Sequence, residues 1–336
     1  MGKYLNPIKQ LEYLQDKAKP SMAYQAGEDV GAWKIRAKTK LIELTGLDKF
    51  IKVDNDRFEV ISCENKPDYL QIKFKLFVEE KTQVVGYLLM PNLIENPPLM
   101  ICLQGHSNGM HLSLGIVKNK GEEEAIAGDR DFDIQAVKRG YGALVIEQRN
   151  FGERKTNDLP TGTDCHVTSM YELLLGRTTI AGRVWDVSRT LDAILLNYPQ
   201  IDNDRISILG NSGGGTIAYY ATCLEDRISA CMPSCAVCTY RESIATISHC
   251  VCNHIPSILQ YFEMADLSLL IAPRPMVVVC GRNDDIFPLK YVLEAYKRIE
   301  DMYKVANTND NLKLIVGKGG HRFYADEGWN AFCNIL

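Results

Sequence analysis

The stretch Ile206-Ser-Ile-Leu-Gly-Asn-Ser-Gly-Gly-Gly-Thr-Ile-Ala-Tyr-Tyr220 constrains this chain more than any other. It holds Gly210-Asn211-Ser212-Gly213-Gly214, a G-x-S-x-G match. A β-type apolar run (Ile206, Ile208, Leu209) precedes it, and a helix-compatible run from Thr216 to Leu224 follows. That context predicts a strand that turns directly into a helix at the serine. Such a turn holds its central residue in a strained backbone conformation. Only small neighbours fit, because the strand and the helix crowd the bend. The hydroxyl then stands clear of the turn, so Ser212 is the candidate nucleophile.

A serine hydroxyl attacks poorly at neutral pH without a base beside it and a carboxylate to orient that base. Where this turn serves acyl transfer, the partners follow in the order serine, acid, histidine. Of six histidines, His321 has the right setting, after an apolar strand (Leu312–Val316) and the glycine-rich Gly317-Lys-Gly-Gly320. The acid is expected after the preceding strand, Pro275–Cys280, in Gly281-Arg-Asn-Asp-Asp-Ile-Phe-Pro288. Asp284 is the favoured residue, three positions after Gly281. Asp285, pointing the other way in an extended turn, is its competitor. An anionic intermediate needs backbone donors. The Gly213 amide is one candidate, and the His106 amide, in the turn after the strand Pro98–Leu103, is the other. The alternative role for His106, as the base itself, is disfavoured by its position upstream of the serine.

The rest of the chain supplies a frame for these residues. Leu70, Ile72, Phe74 and Leu76 alternate with polar residues, and shorter alternations surround Phe58–Val60 and Lys81–Met90. Period-two patterning predicts half-buried, antiparallel strands. Five later runs are uniformly apolar: Pro98–Leu103, Tyr141–Ile146, Ile206–Leu209, Pro275–Cys280 and Leu312–Val316. Short strands without alternation belong to a sheet covered on both faces. Amphipathic stretches at Arg183–Leu196 and Leu289–Tyr303 lie between them. The expected fold class is therefore α/β, a mainly parallel, doubly wound sheet with helices on both faces. Residues 1–54 read as a helical N-terminal segment, with Trp33, Ile35, Leu41, Ile42 and Leu44 as anchors, and residues 55–336 as the main domain. Two polar, glycine-containing stretches, 105–131 and 150–181, read as long loops at the carboxyl ends of strands, where such sheets bind ligands.

Charge and composition exclude other classes. The formal net charge is −4 with no basic block, so nucleic acid is not an expected partner. No 18-residue apolar run predicts a membrane span, and the N-terminus lacks the apolar core of a signal peptide. Eleven cysteines in such a chain read as reduced thiols of a cytoplasmic protein. Cys231, Cys235, Cys238 and the run His249-Cys-Val-Cys-Asn-His254 invite a metal reading, but their spacing matches no pair-and-pair zinc arrangement. No metal and no cofactor are expected, and the segment reads as packing or pocket lining. Glu147, Arg149, Arg183, Trp185 and Asp186 read as surface polar residues.

Four stretches together resemble the α/β-hydrolase superfamily, in the branch of acetyl xylan esterases and dienelactone-hydrolase-like proteins. They are Leu-Gln-Gly-His-Ser (103–107), Gly-Asn-Ser-Gly-Gly (210–214), Ile-Ala-Pro-Arg-Pro (271–275) leading into Gly-Arg-Asn-Asp-Asp-Ile-Phe-Pro (281–288), and Gly-Gly-His-Arg-Phe (319–323). The resemblance spans about residues 55–336. It implies an α/β-hydrolase fold, Ser212, Asp284 and His321 as the catalytic set, and the His106 and Gly213 amides as oxyanion donors. One departure is Gln104-Gly105 where the branch usually has His-Gly. The implied activity is cleavage of small acyl esters, acetyl above all, on a sugar or small metabolite, with no cofactor. Rival readings are a serine peptidase, a dienelactone-type hydrolase, and a slow-turnover binding protein that keeps the same residues. The roughly 55 leading residues are too few for the propeller that oligopeptidase-type enzymes carry.

Overall fold

The computed structural model describes residues 6–53, 57–156, 164–246 and 249–336. The expected boundary between residues 54 and 55 lies outside the described residues. Among the described residues nine strands form one sheet: β1 (Glu59–Asn65), β2 (Tyr69–Glu79), β3 (Thr82–Pro91), β4 (Pro98–Leu103), β5 (Gly142–Ile146), β6 (Asp202–Asn211), β7 (Ala230–Ser234), β8 (Met276–Gly281) and β9 (Leu312–Gly317), in the spatial order β1-β2-β3-β5-β4-β6-β7-β8-β9. The first three pair antiparallel, as does β3 with β5, and every later pairing is parallel. The alternating and the uniformly apolar segments therefore sort into the antiparallel and the parallel parts of the sheet. The bounds of β7 carried no such signal, since Pro233 and two flanking polar or sulfur residues interrupt its apolar run.

Among the described residues ten α-helices complete the frame: α1 (Ile8–Lys17), α2 (Val30–Thr45), α3 (Glu122–Ala127), α4 (Phe132–Val137), α5 (Asp164–Leu174), α6 (Thr179–Asn197), α7 (Gly213–Leu224), α8 (Ser268–Ile271), α9 (Leu289–Val305) and α10 (Ala325–Cys333). Successive side chains of a strand point to opposite faces, and here that splits the core in two. In β4, Leu99, Ile101 and Leu103 join the core under α2, α6, α7, α8 and α9, while Met100 and Cys102 join the one under α4 and α10. The strands β5 and β8 divide in the same way. Helices thus cover both faces, and the doubly wound α/β expectation holds.

In α2 the buried residues Trp33, Ala37, Leu41 and Thr45 recur every fourth position, so one stripe faces the core. Ile35 lies off that stripe and is exposed, contrary to its expected anchoring role. The stretches read as long loops carry short helices instead. Residues 105–131 hold a 3₁₀ turn at Met110–Leu114 and α3, and residues 150–181 hold α5 and the start of α6. The Glu122 carboxylate organises the first of them. It accepts from Asn108 Nδ2 at 2.7 Å, Lys118 N at 2.7 Å and Asn119 N at 2.9 Å, and it meets His111 Nε2 at 3.1 Å. No described helix is long and apolar enough to cross a membrane.

Candidate active site

The serine turn forms as the motif predicts. Ser212 sits between β6 and α7 with φ 57° and ψ −126°, a region that non-glycine residues rarely occupy. Its amide donates to Ser234 O at 2.8 Å, and its carbonyl accepts from Thr216 N at 2.9 Å. Those bonds tie the bend to β7 and to the first turn of α7. A Cβ at Gly214 would lie 2.0 Å from Leu103 O, so the helix can start there only because that residue has no side chain.

His321 and Asp284 arrive from the loops after β9 and β8. His321 Nδ1 is 2.8 Å from Asp284 Oδ2, and Asp284 Oδ1 accepts from the amides of Ile286 (2.9 Å) and Phe287 (3.0 Å). Burial pushes the Asp284 carboxyl up. The hydrogen bond and charge of His321, with those two amides, outweigh it and hold the carboxyl below its ordinary range. The imidazole stacks on the buried ring of Phe287, with centroids 5.9 Å apart. Asp285 is exposed and touches none of this. Geometry therefore separates the two adjacent aspartates. Oδ1 of Asp284 closes its own loop, so Oδ2 is left for the histidine.

A cavity of about 330 Å³ is lined by Gly105, His106, Arg130, Ser212, His249 and His321, among others. Ser212 and His321 face it together without a hydrogen bond between them; such contacts often tighten only once substrate is bound. The loop after β4 closes the opposite side. A Cβ on Gly105 would fall 2.8 Å from Ser212 Cβ and 2.7 Å from Asn211 O, which shows how tightly that loop lies against the bend. Glu147, read from sequence as a surface residue, is buried and braces the loop. Its carboxylate accepts from Gln104 Nε2 at 2.9 Å and from Met110 N at 3.1 Å. Burial raises its pKa, and those hydrogen bonds offset only part of the shift.

The other residues read as surface polar groups are mostly buried too. Asp186 is fully buried and joins Arg149 (2.8 Å) and Arg154 (2.7 Å), while Arg149 also meets Glu79 at 2.9 Å. Trp185 donates to Val78 O at 2.8 Å. Buried charges persist only when paired, and this network satisfies that condition. Arg183 is buried as well, with its guanidinium over the Phe151 ring. Glu147 and Arg149 stand in the segment after β5, and Arg183, Trp185 and Asp186 on α6, and their order in the chain does not show which partners from other elements meet them.

Two further residues line the cavity: Arg130, which sequence did not single out, and His249, which lies in the segment expected to pack or line the pocket. The Arg130 guanidinium reaches His321 O at 3.4 Å, and its Nε is buried without a partner. His249 Nδ1 lies 2.9 Å from Asn253 Nδ2, so the amide donates and the ring proton sits on Nε2. That Nε2 is buried and unpartnered. Burial, then the neighbouring His254, His106 and His321, push the His249 imidazole down to about 4, so it stays neutral. The cysteines do not gather as one cluster. Cys231 is buried on β7, Cys235 meets Arg322 O at 3.2 Å, and Cys238 is buried apart from them. Cys250 and Cys252 turn instead towards His106 and Cys165.

Three similarities place this fold among known proteins. The chain is 24% identical over 271 residues to YtaP of Bacillus subtilis (strain 168), provisionally named a hydrolase, covering 78% of this chain and 86% of that one. Its fold matches the crystal structure of BF1801 from Bacteroides fragilis NCTC 9343, provisionally an acetyl xylan esterase, with TM-score 0.78, 19% identity, and coverage of 94% of this chain and 83% of that one. A glucuronoyl esterase from Solibacter usitatus matches with TM-score 0.66, 14% identity, and coverage of 96% and 98%. The model of the Abhydrolase family (Abhydrolase_7) matches residues 2–314, so the chain belongs to that family and is an α/β-hydrolase with an acetyl-xylan-esterase-like fold.

Proposed function

We propose that this protein is a serine carboxylic-ester hydrolase acting on small acyl esters, acetyl in the first place, carried by a sugar or another small alcohol. The observation that supports it most is one arrangement: a strained serine facing the same cavity as a histidine held by a buried aspartate. Ser212 Oγ attacks the ester carbonyl while His321 Nε2 takes its proton. Asp284 holds the other ring nitrogen in the donor tautomer and stabilises the imidazolium. The oxyanion that forms is received by the Gly213 amide, at the positive end of α7, and by the His106 amide. His321 then protonates the departing alcohol, and water cleaves the acyl-enzyme by the reverse sequence. No cofactor enters these steps.

The Nε–H of Arg130 and the Nε2–H of His249 are buried donors without a partner among the described residues, and they orient the substrate. The names of the structurally similar proteins, an acetyl xylan and a glucuronoyl esterase, support an ester on a carbohydrate as the substrate class. We assign the protein to the cytoplasm, a reading that rests on its eleven cysteines.

A panel of acetylated sugars, aryl acetates, longer acyl esters, a dienelactone and amides tests the reading, run beside Ser212→Ala. Acetyl esters should turn over fastest, at about 1–10³ s⁻¹. The Ser212→Ala variant should lose activity by about 10³-fold or more. Preferred cleavage of amides or of the dienelactone would select those rivals. Turnover far below about 1 s⁻¹ on every ester would favour a binding protein.

A further inference from the structure

Four ligand-type atoms from three distant stretches of chain converge beside the cavity. They are His106 Nε2 after β4, Cys165 Sγ in the first turn of α5, and the Sγ atoms of Cys250 and Cys252. All lie within 4.8 Å of one another. Cys252 Sγ is 3.3 Å and Cys165 Sγ 3.6 Å from His106 Nε2, and Cys250 Sγ is 3.5 Å from Cys165 Sγ. In a tetrahedral zinc site, bonds of about 2.3 Å to sulfur and about 2.0 Å to nitrogen set the ligands about 3.8 Å (S to S) and about 3.5 Å (S to N) apart. The three separations of 3.3, 3.6 and 3.5 Å are of that size, and the others stay within 4.8 Å. Thiols are weak hydrogen-bonding groups, so hydrogen bonding alone gives little reason for three of them to crowd one imidazole nitrogen.

Charge points the same way. Arg183 is 2% exposed. Its Nη2 donates to Arg149 O at 3.0 Å and reaches Cys165 Sγ at 3.4 Å. Among the described residues it has no carboxylate partner, unlike its neighbours Arg149 and Arg154. A buried unpaired cation is costly. Zinc's two positive charges against three thiolates and a neutral imidazole leave one negative charge, which would neutralise Arg183.

We propose that His106, Cys165, Cys250 and Cys252 form a closed zinc site with Arg183 as its counter-ion. No metal was expected from the spacing and packing of the cysteines along the chain, and here the ligands come from three separate stretches: the loop after β4, the first turn of α5 and the 249–254 segment. Three thiolates and one imidazole in tetrahedral array select zinc over harder ions. Each ligating thiol releases its proton on binding. Four protein ligands leave no open position, so the metal is structural. It pins the His106 loop and the 249–254 segment to α5. Its effect on turnover rests on the esterase reading, because the amide of the same His106 is the oxyanion donor proposed there. Metal binding does not depend on that reading.

Full-length protein, purified from zinc-supplemented cells without chelator, should contain one zinc per chain by mass spectrometry of the metal. Stripped under reducing conditions and titrated with Co²⁺, it should develop the intense visible absorption of a tetrahedral thiolate site. Cys165→Ser and Cys250→Ser should each lose the stoichiometric zinc, while Cys63→Ser, at an exposed position, should keep it. Removing the metal should lower the melting temperature. Wild-type protein that stays substoichiometric after zinc titration would overturn the proposal. So would zinc retained by both variants, a stoichiometric metal other than zinc, or a native Cys165–Cys250 disulfide. The wild-type measurement holds even if a variant fails to fold. A zinc-loaded protein inactive on every ester would sink the esterase reading and leave the metal site standing.

Discussion

Substituting Gly105 with alanine tests how the loop after β4 serves the serine. The new methyl would lie 2.8 Å from Ser212 Cβ and 2.7 Å from Asn211 O, where ordinary contact begins at 3.4 Å. Relief therefore requires a movement of 0.6–0.7 Å (3.4 − 2.8 and 3.4 − 2.7). Neither neighbour can swing away, since one is a backbone atom and the other is the first carbon of a side chain on the strained bend. The loop must retreat, and the His106 amide, one residue on, retreats with it. Oxyanion donors work at about 2.7–3.1 Å, so a shift of that size takes the amide out of range. Losing one such donor costs about 10²–10³ in kcat. The overpacking itself should cost about 1–3 kcal/mol of stability. KM should change little, because the oxyanion contact is made mainly in the transition state. The assay is steady-state hydrolysis of an aryl acetate beside a thermal melt. A Gly105→Ala protein that keeps kcat within about threefold of wild type would show that the loop supplies no transition-state donor.

Further outcomes follow from the same geometry. Asp284→Asn should lower kcat by about 10⁴ with the fold intact, while Asp285→Asn stays within about twofold; equal effects would remove Asp284 from the role proposed for it. Ser212→Gly should melt above Ser212→Ala by the equivalent of about 1 kcal/mol, since glycine takes φ 57° without strain; no difference in calorimetry would mean that the bend stores none. Burial pushes the Glu263 carboxyl up to about 7 despite the Tyr240 and Met264 amides it accepts from. The unfolded chain releases that proton near about pH 4, so between the two values the native state binds more protons and stability falls as pH rises. Glu263→Gln should therefore gain on wild type between pH 5 and pH 8, by about 3 kcal/mol at most, and a melting-temperature difference that does not vary with pH would refute this.

Much of the frame was legible in the residue order. The strand Pro98–Leu103 has the observed bounds, the helix expected at Leu289–Tyr303 runs on to Val305, and the antiparallel and parallel parts of the sheet follow from two kinds of apolar pattern. Those are short-range signals, set by the period of the side chains along one element. The serine turn belongs with them, because a G-x-S-x-G between a strand and a helix specifies its own bend. The hidden part was every contact made between elements. Glu147, Arg183 and Asp186 read as solvated until partners from other segments surrounded them. Arg130 carried no local mark of facing a cavity, and for His249 the segment suggested pocket lining without saying which side chain would turn inward.

The residue order by itself determined where the chain bends, which faces are apolar, and which hydroxyl is exposed at a turn, because covalent geometry and side-chain period act over a few residues. Tertiary structure alone decided which of two adjacent aspartates meets His321, and brought His106, Cys165, Cys250 and Cys252 together. Pairings of that kind depend on how the loops at the carboxyl ends of the strands are packed. His106 and Cys252 meet there from 146 positions apart and Arg130 and His321 from 191, and no local pattern encodes their distance in space.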